Sequence, residues 1–328
     1  MDDLATTAPT LSALYGEFRG ASVFFDELPG GNNGDRLIQL GSREFHAPFK
    51  FDYTASPRDA DVIIVRGNGV LTDFYSRTPH RERVQAYLDE FPGTPFVLEP
   101  STLMFRQEPA FRVDEHHAGA YLYARDQVSF SQEATKEEYR ARPVLFGLAD
   151  DMAFALASSS FIRELSAHRS PAHALVVERY DIERPDRELR HSPLRSAAAK
   201  ATPAVIRNVL RPLLARRRAS LSGGLQAEAE QLARSCVSVG EAAEAISWIS
   251  ADISNHRLYS FDEFSTLVRD SQVIFTQRLH VGILGALLGI ETWLDDRGYY
   301  KIREIWRQSM ADMQHVHLMS DVEKWENP

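Results

Sequence analysis

Short runs of β-branched and aromatic residues recur along this chain, and most lead through a polar or glycine-bearing loop into a segment of helical spacing. The runs are SVFF from Ser22, DVIIV at 61–65, PFVL at 95–98, YLYA at 121–124 and PVLFGL at 143–148. Continuous apolar strands alternating with helices read as parallel strands buried on both faces, because crossover helices cover each face of such a sheet. Five strand–helix repeats precede residue 165, and a second series runs from ALVV at 174–177 to QVIF at 272–275, a helix over 281–288 and a strand over 290–294. A chain of 328 residues can bury two cores of ordinary size. The expectation is an α/β protein with two parallel-sheet domains, residues 1–165 and 166–328.

Composition narrows the function. A net charge of −9 argues against a general nucleic-acid binder. One cysteine, Cys236, excludes an intrachain disulfide and suits a reducing compartment. The opening MDDLATTAPT has neither a basic nor an apolar signal region, and the longest apolar run, at 281–290, is too short for a bilayer. A cytoplasmic protein is expected. One segment departs from the acidic background: residues 184–222 are rich in arginine, with apolar residues at helical spacing over 205–214. An ordinary surface helix accounts for it; so does a peripheral contact with the inner face of a membrane, where each basic residue contributes ~1 kcal/mol.

Ligands of open α/β sheets bind outside the carboxyl ends of the strands. At those positions the chain offers Asn33 and Asp35 in GGNNGD, a second glycine-containing loop in RGNG at 66–69, Glu99 in LEPS, Arg179 after ALVV, and Arg278 with His280 after QVIFT. Arg278 and His280 fall where a strand turns into a helix, whose free N–H groups and dipole favour an anion; arginine adds a planar fork for carboxylate or phosphate. Each has a structural alternative: an arginine capping a strand, a histidine satisfied in the core, an Asp35 that caps a helix, as Asp150 or Asp151 would cap another, and a solvated strand end at Glu99 and at Asp295-Asp296. No metal-ligand spacing and no G-x-S-x-G elbow is present, so neither a metal centre nor serine hydrolysis is expected.

TQRLH at 276–280, the small-residue helix after it, LDD at 294–296, Tyr299-Tyr300 and Lys301 together resemble the C-terminal signature of the polysaccharide pyruvyl transferases, in particular the ketal-forming branch of bacterial exopolysaccharide synthesis. GNNGD at 31–35, ARDQVS at 124–129, DDMAF at 150–154 and RYDIE at 179–183 are similar to further motifs of that family. The resemblance spans roughly residues 22–183 and 248–306; it departs at the middle of GNGVLTDFY, at Asp150 and at Gln277, where the family commonly has Asp. It implies two Rossmann-like domains facing a cleft in a GT-B-like fold, and no cofactor. Phosphoenolpyruvate is the implied donor, held by Arg278, Leu279 and His280 with Arg179 and Lys301. The implied partner is a sugar or lipid-linked oligosaccharide acceptor, oriented by Asn33, Asp35, Asn68 and Ser101. His280 is the natural general acid, since histidine titrates nearest neutrality, and Asp35 a candidate base. Two alternatives share the fold: a nucleotide-sugar glycosyltransferase and a non-catalytic sugar- or anion-binding relative.

Overall fold

The computed structural model describes residues 7–28, 31–72, 79–106, 108–179, 224–235, 247–297 and 300–322. The Arg-rich segment at 184–222 lies outside the described residues, as does most of the helix expected over 240–248. The chain divides into two compact units. One comprises Met1–Gly31, Asp35–Ser159 and Glu304–Ala311; the other comprises Asn32–Gly34, Ser160–Arg303 and Asp312–Pro328. Among the described residues no helix is long and apolar enough to cross a membrane.

The first unit is built on strands β1 (Ser22–Asp26), β2 (Asp52–Tyr53), β3 (Val62–Val65), β5 (Phe96–Ser101), β7 (Ala120–Ala124) and β8 (Val144–Leu148), with a separate pair β4 (Leu71–Thr72) and β6 (Leu103–Met104). The six-stranded sheet runs β2-β1-β3-β5-β7-β8, and every pairing is parallel. Alternation within the apolar runs explains their unbroken hydrophobicity. Ile63, Val65, Phe96 and Leu98 join a core on one face with Val84 and Leu88 of helix α3 (Pro79–Glu90). Val62, Ile64 and Val97 join a second core with Leu14 and Tyr15 of α1 (Leu11–Glu17) and Ile38 of α2 (Asn33–His46). Each fully buried side chain of this size contributes ~1.5–3 kcal/mol, so both faces require cover. α4 (Gln127–Ala134) completes the helices named here, and Asp126 caps it by accepting from the Ser129 amide at 2.8 Å. Asp126 also accepts from the Ser129 hydroxyl, so ARDQVS encodes a helix start.

The second unit repeats the topology. Its strands are β9 (His173–Val177), β10 (Ser247–Ser250), β11 (Ser271–Thr276), β12 (Glu291–Leu294) and β13 (Val316–Leu318), in the order β10-β9-β11-β12-β13, again all parallel. Helices α5 (Ser160–Ala167), α6 (Gly224–Ser235), α7 (Phe261–Arg269), α8 (Leu279–Leu287), α9 (Tyr300–Ser309), whose residues from Glu304 onward belong to the first unit, and α10 (Met319–Val322) follow in chain order. α8 packs closely on the sheet: a Cβ at Gly285 would lie 2.6 Å from Thr292 Oγ1 and 2.8 Å from Ile274 Cδ1.

Three segments fold otherwise than their residues alone suggest: a short strand over 257–260, a helix over 240–248 and a helical, then polar, tail beyond 302. Residues 257–260 form a turn rather than a strand, because Ser260 and Glu263 make a reciprocal capping box that starts α7. Trp248 lies in a strand, β10, rather than at the end of a helix. The tail beyond residue 302 includes β13, whose three residues are too few to show a period-two pattern.

Candidate functional site

In each sheet the first strand lies between the second and third, so chain direction switches sides beside it. At such a switch point the loops part and leave a crevice at the carboxyl ends. In the second unit the loops leaving β9 and β11 carry Glu178-Arg179 and Gln277-Arg278. They are joined directly: the Gln277 amide N–H donates to the Val177 carbonyl at 2.9 Å, and the Gln277 side-chain oxygen accepts from the Arg179 amide at 2.9 Å. The Gln277 side-chain amide then donates to Asp295 Oδ2 beyond β12, at 2.9 Å. Gln277 thus braces three adjacent strand ends. An aspartate there could not donate to Asp295 and would set two carboxylates against each other.

Arg278 is the N-cap residue of α8, with its amide held by Thr276 Oγ1 at 2.9 Å, and Leu279 and His280 form the first turn. Its guanidinium makes a bidentate pair with Asp252, Nε to Oδ1 at 3.1 Å and Nη2 to Oδ2 at 2.5 Å. Asp252 follows β10, so the pair spans the carboxyl end of β9. Its fork geometry fixes the guanidinium plane. Asp295 and Asp296, expected at a solvated strand end, are buried instead. Asp295 binds Arg297 Nε at 2.7 Å, a hydrogen bond that raises the Arg297 pKa, and Asp296 binds Arg303 Nε at 2.6 Å. Lys301 is buried in the first turn of α9. Among the described residues no group of His, Cys, Asp or Glu is placed to hold a metal ion.

The GNNGD loop enters the same unit. Asn33 was expected to meet an acceptor, but it is buried and its side-chain amide donates to the carbonyls of Ile253 at 3.0 Å and Tyr259 at 3.1 Å. Its backbone N–H donates to Ser254, so Asn33 anchors the loop that carries Asp252. Gly34 lies against the His280 ring: a Cβ there would stand 2.7 Å from Nδ1 and 2.8 Å from the His280 Cβ. Asp35 belongs to the first unit, where its carboxylate accepts from the Gly31 amide at 2.9 Å and its carbonyl accepts from Arg66 Nη1 at 3.1 Å.

Asn68 and Ser101 meet in the first unit, but not as an open surface. Both are buried. The Ser101 hydroxyl accepts from the Asn68 amide at 3.1 Å and donates to the Glu99 carbonyl at 2.8 Å, which occupies the group expected to face an acceptor. Arg125 joins the same strand edge, pairing with Asp151 at 2.5 Å and with Thr102 Oγ1 at 3.0 Å, while Asp151 also caps the turn that follows by accepting from the Ala153 amide. Glu99, expected at a solvated strand end, has 0 % exposure. It accepts from Ser42 Oγ at 2.6 Å and from Tyr15 OH at 3.2 Å, and His46 Nε2 lies 2.8 Å from its Oε1. Burial and the Glu99 charge raise the Tyr15 pKa, which keeps that phenol a donor.

Sequence reasoning missed Asp252, Gln277's bracing role, and the buried groups His46 and Arg66. Asp252 lies in no motif; only the strand order brings it to Arg278. His46 could have been found from helical spacing, since it sits one turn after Ser42 on α2.

No family model matches the chain, and no protein of curated function matches it. Among solved structures, it is similar to the crystal structure of a functionally uncharacterized protein from Klebsiella pneumoniae subsp. pneumoniae NTUH-K2044, with a TM-score of 0.51 and 16 % identity over 94 % of this chain and 96 % of that one. At that identity the likeness shows the fold: an α/β protein with parallel sheets.

Proposed function

We propose that the chain is a pyruvyl transferase, moving the enolpyruvyl group of phosphoenolpyruvate onto two hydroxyls of a sugar as a cyclic ketal. The repeated strand order supports reading the units as a pair of Rossmann-like domains of the GT-B type. One observation carries the donor assignment: Arg179 and Arg278, far apart in sequence, leave adjacent parallel strands at a switch point and are tied together through Gln277. Two arginines, a helix N-terminus and His280 in one unit suit a small ligand with two anionic groups, and phosphoenolpyruvate has a phosphate and a carboxylate.

The chemistry assigns the roles. C3 of the enol gains a proton, for which His280 is the candidate acid, and C2 develops positive charge. One sugar hydroxyl attacks C2 and loses its proton. The second hydroxyl then displaces inorganic phosphate and closes the ketal, with a methyl group where the methylene stood. Arg278 and Arg179 stabilise the departing phosphate. Lys301 supports the same charge, and Asp35 remains the candidate base.

A thermal-shift titration tests the donor. Phosphoenolpyruvate at a hundredfold excess over its dissociation constant should stabilise the native state by ~2.7 kcal/mol, an effect lost in Arg278→Ala. Stabilisation by UDP- or GDP-sugars and none by phosphoenolpyruvate would instead mark a glycosyltransferase.

A further inference from the structure

The loop leaving β3 holds a cation that no carboxylate among the described residues pairs with directly. Arg66 is 2 % exposed, and its Nε, sealed from solvent, has no hydrogen-bond partner. Its Nη1 reaches the Asp35 carbonyl, but among the described residues it belongs to no ion pair. Asp35, Glu99, Glu27 and Asp26 act on it only through their fields, and burial pulls its pKa down. Two residues on, Asn68 is 3 % exposed. Its Oδ1 accepts from the Val70 amide at 3.0 Å, while its Nδ2 is sealed and likewise unpartnered.

Two other cations of this unit, Arg125 buried and Lys136 half-buried, are treated differently. Arg125 is paired with Asp151, and Lys136 with Glu133 at 2.5 Å. Leaving a buried guanidinium Nε–H and a buried amide Nδ2 without acceptors is costly, and a fold that pairs other cations of the same unit has the means to avoid it. Both unmet groups are donors, two residues apart, at the end of an extended strand and beside the switch point of the first sheet. What would satisfy them together is a negatively charged group with several lone pairs.

We propose that Arg66 and Asn68 form an oxyanion subsite at the carboxyl end of β3, taking a phosphate or carboxylate group of a ligand. Under the pyruvyl-transfer reading, on which this role but not the binding itself rests, the oxyanion belongs to the acceptor. It is then either a uronic-acid carboxylate or the diphosphate of a carrier-linked sugar.

The test is isothermal titration of the full chain with sodium pyrophosphate and with sodium glucuronate at low ionic strength. An Arg278→Gln background removes the donor-site arginine. Saturable binding of one probe is expected there, weakened at least tenfold by Arg66→Met and severalfold by Asn68→Ala, with tighter pyrophosphate indicating a phosphate ligand and tighter glucuronate a carboxylate. The ligand-free Arg66→Met chain should melt no lower than the parent, because methionine removes a buried charge that has no direct ion pair. Should that variant fail to fold, Asn68→Ala carries the comparison. Absence of saturable binding by either probe, or unchanged affinity in the variant that folds, overturns the subsite. Neither result depends on whether phosphoenolpyruvate stabilises the chain, so the two proposals fail separately.

Discussion

Gly34 and His280 touch so closely that position 34 has no room for a side chain: an added Cβ would lie 2.7 Å from the imidazole Nδ1 and 2.8 Å from the His280 Cβ. The second contact is with the root of the side chain rather than its flexible end, so an alanine cannot be absorbed by a rotamer change. The glycine of GNNGD therefore sets where the proposed general acid stands. Gly34→Ala is expected to lower the turnover of the proposed pyruvyl transfer by ~10–100-fold, the effect of an ångström-scale misplacement of a reacting group. An assay of phosphate release from phosphoenolpyruvate in the presence of a diol sugar would read it. Full activity in the alanine variant would separate His280 from the chemistry.

Asp252 and Arg278 form a second such relationship, a bidentate pair across the end of β9. Asp252→Asn keeps the shape but replaces one acceptor with a donor that faces a guanidinium N–H. The ligand-free chain should lose roughly 1–3 kcal/mol, as for a lost charge-assisted hydrogen bond. The phosphoenolpyruvate dissociation constant should rise on the order of tenfold, about 1.4 kcal/mol, as the guanidinium loses its fixed plane. Denaturant unfolding and a ligand titration measure the two effects. Tighter binding in the variant would mean that Asp252 competes with the ligand rather than orienting its receptor.

The sequence made the strands and the parallel sheets legible because their apolar runs are continuous and their helices are spaced to cover them. It also placed Arg179, Arg278 and His280 just beyond the carboxyl ends of β9 and β11, because the apolar runs before them end at Val177 and Thr276. What it could not show was partnership across strand order. Asp252 meets Arg278 only because β9 lies between β10 and β11, and Asn33 turned from a ligand contact into an anchor because three carbonyls near residues 253–259 surround it. Glu99 reads as a polar strand end in isolation. Its burial follows from α2, which delivers Ser42 and His46 to the same carboxylate.

That buried carboxylate makes a stability prediction. Glu99→Ala would leave His46, Ser42 and Tyr15 without their shared acceptor in a dry core, and the cost should be about 3–5 kcal/mol, as for breaking a buried ionic or hydrogen-bonded set by removing one partner. Glu99→Gln keeps an oxygen for His46 and Tyr15 and should cost less than half as much. Urea unfolding of the two variants is the measurement, and a Glu99→Ala loss below about 1 kcal/mol would mean the network is not holding α2 to the sheet.

His117 gives the pH dependence a defined sign. The residue is buried, its Nδ1 accepts from the Gly119 amide at 3.1 Å, and burial lowers its pKa below the usual histidine value. A second proton on the ring would have to point at that amide. Because the folded pKa is depressed, the native state binds this proton less readily than the unfolded chain. Its contribution to stability is therefore complete above the ordinary histidine pKa of ~6.5 and is lost as pH falls through the lower folded value. His117→Asn offers Oδ1 as a replacement acceptor for Gly119 but does not titrate. Melting curves from pH 7.5 downward should fall less steeply for the variant than for the parent over the window that begins near 6.5. Parallel curves for the two proteins would show that His117 takes up its proton in the folded state as easily as in the unfolded one, and the burial argument at this position would then be wrong.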